Sequence, residues 1–274
     1  MSSIFVCGNG PSLNYLSPLL SDSSIPVLCM GQAVFSNLLP SIFVFEPKQL
    51  RYDSEMAASF ESRGNVGITE WIVANSLATL SSLRLSSDNY SSSKVFVNPQ
   101  YSELGMYVCP NPRGSIYPDY FFVDESSSAS ILEGLRSFRE LHRQGSSKIL
   151  NFKCSVIRAL CFAKASGFKE AVLVGLDPSS SGYWWYDYAS PLYDLSCPYV
   201  RYAREMHVNL RSLYSSHRRS HPGNYKSFGF PESISIVSRI LSDSSFSVSM
   251  IGSDIVMRDY ALSYGIPYEF RSPS

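Results

Sequence analysis

Apolar residues in this chain come in short unbroken runs that stop at polar or glycine turns. Ile4, Phe5, Val6 and Cys7 form the first run, which ends at Gly8-Asn9-Gly10-Pro11-Ser12. An unbroken apolar run bounded by glycines predicts a strand covered on both faces, as in parallel sheets. Pro11 suits the first turn of a following helix, because the N–H it lacks would be unpaired there. The pattern recurs at 26–30, ending at Gly31-Gln32, and at 41–45, ending at Glu46-Pro47. A helix is expected at about 50–60. Three such strands in close succession predict a doubly wound, mostly parallel α/β sheet.

Farther along, 94–98 reads as a strand and 100–119, rich in Tyr, Pro and Gly, as an ordered loop. Ile131, Leu132, Leu135, Phe138 and Leu141 have helical spacing and predict a helix over 130–143. A second helix is expected over 154–166, stopped by Gly167, a residue type that ends helices readily. Residues 170–177 read as a buried strand leading into Pro178 and three serines. Helix 232–242, strand 246–251 and helix 255–264 restore the α/β rhythm. The intervening 182–231 is crowded with Tyr, Trp, His and Arg and shows no strand alternation, though 199–216 is compatible with a helix. The expected organisation is a sheet domain of 1–178 and 232–274, with 179–231 as a lid.

Composition narrows the class. The chain has 274 residues, 45% hydrophobic and 17% charged, enough apolar material for one large core. Its formal net charge of +0 argues against nucleic acid as a partner. No apolar run approaches the roughly 18–20 residues of a membrane span, and the opening MSSIFVCGNG is unlike a signal peptide. The six cysteines form no Cys-x-x-Cys pair, and Cys154 and Cys161 read as core thiols. Reduced thiols and a cytoplasmic location are expected. Serine makes up roughly a fifth of the chain, clustered at 81–93, 126–128 and 179–181, and is expected on solvated surface.

In open α/β sheets, ligands bind outside the carboxyl ends of the strands. Four predicted strand ends here carry polar or flexible residues: Gly8-Asn9-Gly10, Gly31-Gln32, Glu46-Pro47 and Asp177-Pro178. The glycines would let a ligand approach the backbone, and the helix behind Pro11 would offer N–H groups to an anion. A nucleotide is the natural occupant; a plain tight turn is the bland alternative. Leu13 stands where a dinucleotide fingerprint needs its third glycine, and Gln32 where it needs an acid. No phosphate-binding GxxxxGK[ST] and no Asp-x-Asp metal pair occur. A positioned histidine is the usual general base for activating a hydroxyl. His142 ends a surface helix and is expected to be solvated, whereas His207, His217 and His221 lie in the aromatic segment. His217 and His221 have metal-ligand spacing, but Pro222 and the lack of nearby Cys or carboxylate ligands argue against a metal. Tyr183, Trp184, Trp185, Tyr186 and Tyr188 suit stacking on sugar rings, or equally a lid core or dimer interface.

CGNGPSL resembles the opening of the bacterial sialyltransferases of glycosyltransferase family forty-two. The resemblance continues in order. Val27 to Gln32 resembles that family's second strand, with Gly31 in place of an Asn and Gln32 kept. Phe45-Glu46-Pro47 falls at its aromatic-Asn-Pro turn. Cys154-Ser155-Val156, Gly167-Phe168-Lys169-Glu170 and Val174-Gly175-Leu176-Asp177 resemble its Thr-Ser-Gly, Gly-Tyr-Lys-Glu and Ser-Gly-Ile-Asp segments. The likeness covers about the first 50 residues and about 151–182.

The resemblance implies an inverting, metal-independent glycosyltransferase of a Rossmann-like, GT-A-like fold with a lid. Its donor would be CMP-sialic acid or a related CMP-keto-sugar acid such as CMP-Kdo. Its acceptor would be a surface glycan, lipooligosaccharide or capsule, with peripheral contact at the inner membrane face through a lipid-linked acceptor. No cofactor is expected, and a homo-oligomer is. By the same resemblance Gly8, Asn9, Gly10, Ser12, Gln32, Glu46, Cys154, Ser155, Asp177 and Ser179 would bind the donor. Of the two tyrosines with which that family stabilises the leaving phosphate, one is replaced here by Ser179 or Ser180, and Tyr183 or Tyr186 would supply the other. His221, with His207 next, would be the general base. A carboxylate at Glu46 would repel a sugar carboxylate. Two other readings fit the residues: a pterin or nucleotide pyrophosphokinase-like enzyme, and a non-catalytic nucleotide- or glycan-binding module.

Overall fold

The computed structural model describes residues 3–21, 24–30, 36–38, 42–45, 70–73, 94–97, 115–116, 120–180, 183–184, 190–195, 201, 205 and 228–272. Along the chain its elements are β1 (Ser3–Cys7), α1 (Leu13–Ser21), β2 (Val27–Met30), β3 (Ile42–Phe45), β4 (Glu70–Val73), β5 (Lys94–Val97), β6 (Ser115–Ile116) and β7 (Tyr120–Phe122). They continue with α2 (Ser128–Arg143), β8 (Ile149–Asn151), α3 (Ser155–Ala165), β9 (Glu170–Val174), α4 (Phe230–Leu241), β10 (Ser247–Gly252), α5 (Ile255–Ser263) and β11 (Tyr268–Phe270). The chain divides into two compact units. One comprises Met1–Ile25, Asp119–Trp184 and Ser215–Ser274; the other comprises Pro26–Pro118 and Trp185–Tyr214.

In the first unit β1, β9, β10 and β11 lie side by side, every pairing parallel. Ile4, Phe5, Val6 and Cys7 are buried, as are Ala171 to Val174, which is why both strands read as unbroken apolar runs. The register aligns the strand ends: Cys7 faces Val174, and Val174 faces Ile251. Glycine follows at each aligned position (Gly8, Gly175 and Gly252). Helix α3 runs back along the sheet to feed β9, so its N-terminus lies at the carboxyl edge of the strands. α1 and α5 start at that same edge, because they follow β1 and β10 directly. A separate parallel pair, β7 with β8, belongs to this unit.

In the second unit β2, β3, β4, β5 and β6 follow one another in sequence order, again all parallel. Within it, Ser36 bridges Tyr193, and the Asn37 N–H donates to the Leu192 carbonyl at 2.6 Å. Part of the aromatic segment is thereby attached just beyond β2. The parallel α/β class expected from the apolar runs is the class observed.

Several expectations need correction. The 100–119 stretch is not all loop, since β6 lies inside it. Strands β4, β7, β8 and β11 are not predicted by the apolar pattern; β7, β8 and β11 are only three residues long, and β4 has three apolar residues after Glu70. Serine is not only a surface residue. Ser126, Ser127 and Ser128 are exposed, but Ser233, Ser235 and Ser238 of α4 are fully buried. The Ser235 hydroxyl donates to the Pro231 carbonyl one turn back at 2.8 Å, so a small polar side chain is satisfied inside the packed helix. His142 is not solvated: its ring stacks on Phe138 with centroids 5.4 Å apart. Cys7, Cys29 and Cys161 are buried, and burial pushes the Cys161 thiol up to about 12. The expected helix at 50–60 and the serines of 81–93 lie outside the described residues. Among the described residues, no helix is long and apolar enough to cross a membrane.

Candidate active site

The turn after β1 is tied to the end of β9. The Gly8 N–H donates to the Val174 carbonyl at 2.7 Å and the Gly10 N–H to the Gly175 carbonyl at 2.8 Å. This extends the strand pairing beyond the strands themselves. A Cβ on Gly8 would stand 2.3 Å from the Gly175 carbonyl oxygen, and one on Gly10 would stand 2.1 Å from Asp177 Oδ2. Neither position admits a side chain. Gly175 itself has φ of 69°, the left-handed region. The two glycines of the opening motif are therefore required by the segment that follows β9, the Gly175 carbonyl and the Asp177 carboxylate, which leaves Asn9 between them as the side chain the turn presents.

Asn9 is half-buried and held by Trp184, which is fully buried. The Trp184 backbone N–H donates to the Asn9 carbonyl at 3.2 Å, and its indole N–H to Asn9 Oδ1 at 3.4 Å. Of the two readings open for Trp184, sugar stacking or core packing, its full burial selects the core. Tyr183, just before it, is half-buried.

Asp177 closes the turn from the other side. Its Oδ2 accepts the Ser12 N–H at 2.8 Å. The next N–H groups of α1 are also satisfied internally: Leu13 by Gly10, Asn14 by Pro11, and Tyr15 and Leu16 by Ser12 carbonyls. The helix behind Pro11 thus does not offer its N–H groups to a ligand anion, because a carboxylate of the same chain occupies that place. Burial raises the Asp177 pKa, opposed by hydrogen bonding from Ser12. Burial likewise pushes the Tyr15 phenol up. Ser12 Oγ, Tyr15 OH and Asp177 Oδ1 are buried with no hydrogen-bond partner among the described residues.

Ser179 is exposed, yet its backbone is pinned. Its N–H donates to Asp254 Oδ2 at 2.9 Å, and its hydroxyl bonds to the same oxygen. The other Asp254 oxygen caps α5 by accepting the Met257 N–H at 2.8 Å. Tyr268 OH donates to the Asp254 carbonyl at 3.2 Å. Asp254 thus ties the segment that leaves β9 to the connection that leaves β10.

Cys154 and Ser155 open α3 at the same strand edge. Cys154 is the N-cap residue and makes no side-chain capping bond. Ser155 Oγ accepts from Arg158 Nη2 at 3.0 Å, and Arg158 Nη1 donates to Asn151 Oδ1 at 3.0 Å. The residue before the cap, Lys153, has φ of 54°. Its ammonium pairs with Glu125 at 2.9 Å, and its N–H donates to the same carboxylate at 3.3 Å. An ion pair to α2's approach segment thus holds an unfavourable backbone at the mouth of α3.

The first unit therefore gathers Gly8, Asn9, Gly10, Ser12, Ser155, Asp177 and Ser179 along one carboxyl edge. Gln32, Glu46, Tyr186, His207 and His221 lie outside the described residues. Sequence reasoning missed Trp184 as a support, Asp254, Tyr15 and Arg158. For Asp254 there was a signal, an Asp immediately before an apolar helical stretch.

No protein-family model matches the chain, and no curated protein does. Among solved structures the chain is similar to a tyrosine-to-phenylalanine variant of the sialyltransferase CST-II in complex with CMP. The identity is 15%, the TM-score 0.43, and the match covers 98% of this chain and 86% of that one. It is similar at 14% identity and TM-score 0.43, over the same shares, to the sialyltransferase CstII from Campylobacter jejuni in complex with CMP-3FNeuAc. CST-II in complex with a trisaccharide acceptor and CMP matches at 14% identity and TM-score 0.35, over 78% of each chain.

Proposed function

We propose that the chain is a glycosyltransferase that moves sialic acid, or a related keto-sugar acid such as Kdo, from its CMP donor to a hydroxyl of a surface-glycan acceptor. The observation that carries the reading is a convergence. Three segments that resemble the same family on sequence grounds, at 8–12, 154–156 and 174–177, open on one carboxyl edge of a parallel sheet. That edge is where α/β sheets bind nucleotides.

In the proposed reaction an acceptor hydroxyl attacks the anomeric carbon of the donor sugar from the face opposite CMP. The new C–O bond forms as the bond to the phosphate oxygen breaks, with inversion. The hydroxyl proton passes to a histidine of the aromatic segment, His221 or His207, and CMP leaves with the electron pair. Because Asp177 occupies the N-terminus of α1, the departing phosphate would rely on other donors. The Asn9 carboxamide, the Ser155 hydroxyl at the head of α3, and Tyr183 and Tyr186 would serve, with no metal. The segment 179–231 would close over the donor and keep water out.

Titration calorimetry with CMP, UMP and GMP tests the donor half of this reading. CMP should bind at least tenfold more tightly than the purine nucleotide. Equal affinity for all three, or no heat with any, would contradict it.

A further inference from the structure

Trp184 carries an unusual pair of bonds: both of its N–H groups, backbone and indole, go to the same residue, Asn9, at 3.2 and 3.4 Å. The indole is fully buried, so its N–H needs an acceptor inside the protein. An indole N–H can only donate, so it must face the carboxamide oxygen and not the NH2 group. This fixes which way round the Asn9 amide sits. With Oδ1 turned to the indole, the other end of the amide, Nδ2, is a donor available to a ligand. The backbone bond holds the turn itself, and Gly8 and Gly10 on either side are locked to β9. The carboxamide is therefore preset in both place and polarity.

We propose that Trp184 is the positioning residue for Asn9, holding its amide so that the NH2 group is offered to an acceptor oxygen of the bound nucleotide. This rests on the CMP-donor reading for the ligand, but not for the orientation. The tryptophan acts through Asn9 and touches no reacting atom. It makes the site selective for a ligand oxygen that accepts, such as a phosphoryl or carboxylate oxygen, over a ligand donor.

The orientation is tested first, without any nucleotide. The chain has three tryptophans, hence three indole N–H signals in a 15N-labelled sample. Trp184→Phe removes one and so assigns it; should that variant not fold, Trp71→Phe and Trp185→Phe assign it by elimination. Asn9→Ala should shift the Trp184 signal and speed its exchange with water. Asn9→Asp, which keeps an acceptor, should preserve its protection. The ligand consequence is tested by a double-mutant cycle on CMP binding. Trp184→Phe should weaken binding about fivefold to tenfold in the native background, and have almost no effect on Asn9→Ala. An indole signal indifferent to Asn9→Ala overturns the proposal, and so do strictly additive affinity losses. If the native chain binds no CMP the donor reading fails, and the indole signal still decides whether Trp184 sets Asn9.

Discussion

The carboxylate of Asp177 accepts the backbone N–H of Ser12 at 2.8 Å, across 165 residues of chain. One bond thereby joins the end of β9 to the start of α1 and fills the helix N-terminus with an internal anion. A phosphate cannot take that place without displacing Asp177. The donor groups of any nucleotide site here must come from side chains and from other helix ends.

The first consequence concerns Gly10. A methyl group there would meet Asp177 Oδ2 at 2.1 Å, so the turn or the carboxylate has to move. Gly10→Ala should lower stability by about 1–3 kcal/mol, read from urea unfolding. An unchanged midpoint would show that the turn is not packed on Asp177.

Asp177 also sets a pH dependence. Burial raises its folded-state pKa, so folding favours the protonated form. Its contribution is complete below the ordinary carboxyl value near ~3.9 and is lost as pH rises through the raised folded value. Asp177→Asn keeps an oxygen for the Ser12 N–H and cannot ionise. The variant should lack this loss, so its melting temperature should gain on the native protein as pH rises from about 4 toward neutrality. Parallel curves would contradict the burial argument.

His142 works in the opposite sense. Burial lowers its pKa, and the Lys164 ammonium adds to this while Asp243 opposes it. Stability from the neutral ring is therefore present above the ordinary value near ~6.5 and is lost as pH falls through the lower folded value. His142→Phe keeps a ring against Phe138 and removes the titration. Thermal melts between about pH 7 and pH 5 should fall more steeply for the native protein than for the variant. Equal slopes would show that the imidazole ionises freely.

Much of this architecture can be read along the chain. β1 and β9 are buried and followed by glycine, β10 alternates buried with more exposed positions, and the helices 128–143, 155–165, 230–241 and 255–263 match their expected spans within two residues. β7, β8 and β11 escape because three residues carry no period. Within the site, the strand-end rule points to Asn9 and Asp177 directly. For Gly8 and Gly10 it leaves a ligand and a plain tight turn both open, and the close neighbours that require glycine there, Gly175 and Asp177, lie more than 160 residues on. For Trp184 the sequence leaves two roles open. An aromatic-rich stretch looks the same whether its rings face a sugar or the core, and only the partner, Asn9, tells them apart. Asp254 meets Ser179 across 75 residues, a separation no local pattern encodes.

The central claim is that this edge handles a CMP-activated keto-sugar acid. The most direct test is CMP release from CMP-sialic acid and from CMP-Kdo in the presence of a glycan acceptor, with and without EDTA. The account predicts release from one of the two donors, undiminished by EDTA and reduced at least tenfold in Asn9→Ala. No release from either donor, together with no binding of CMP, would contradict it.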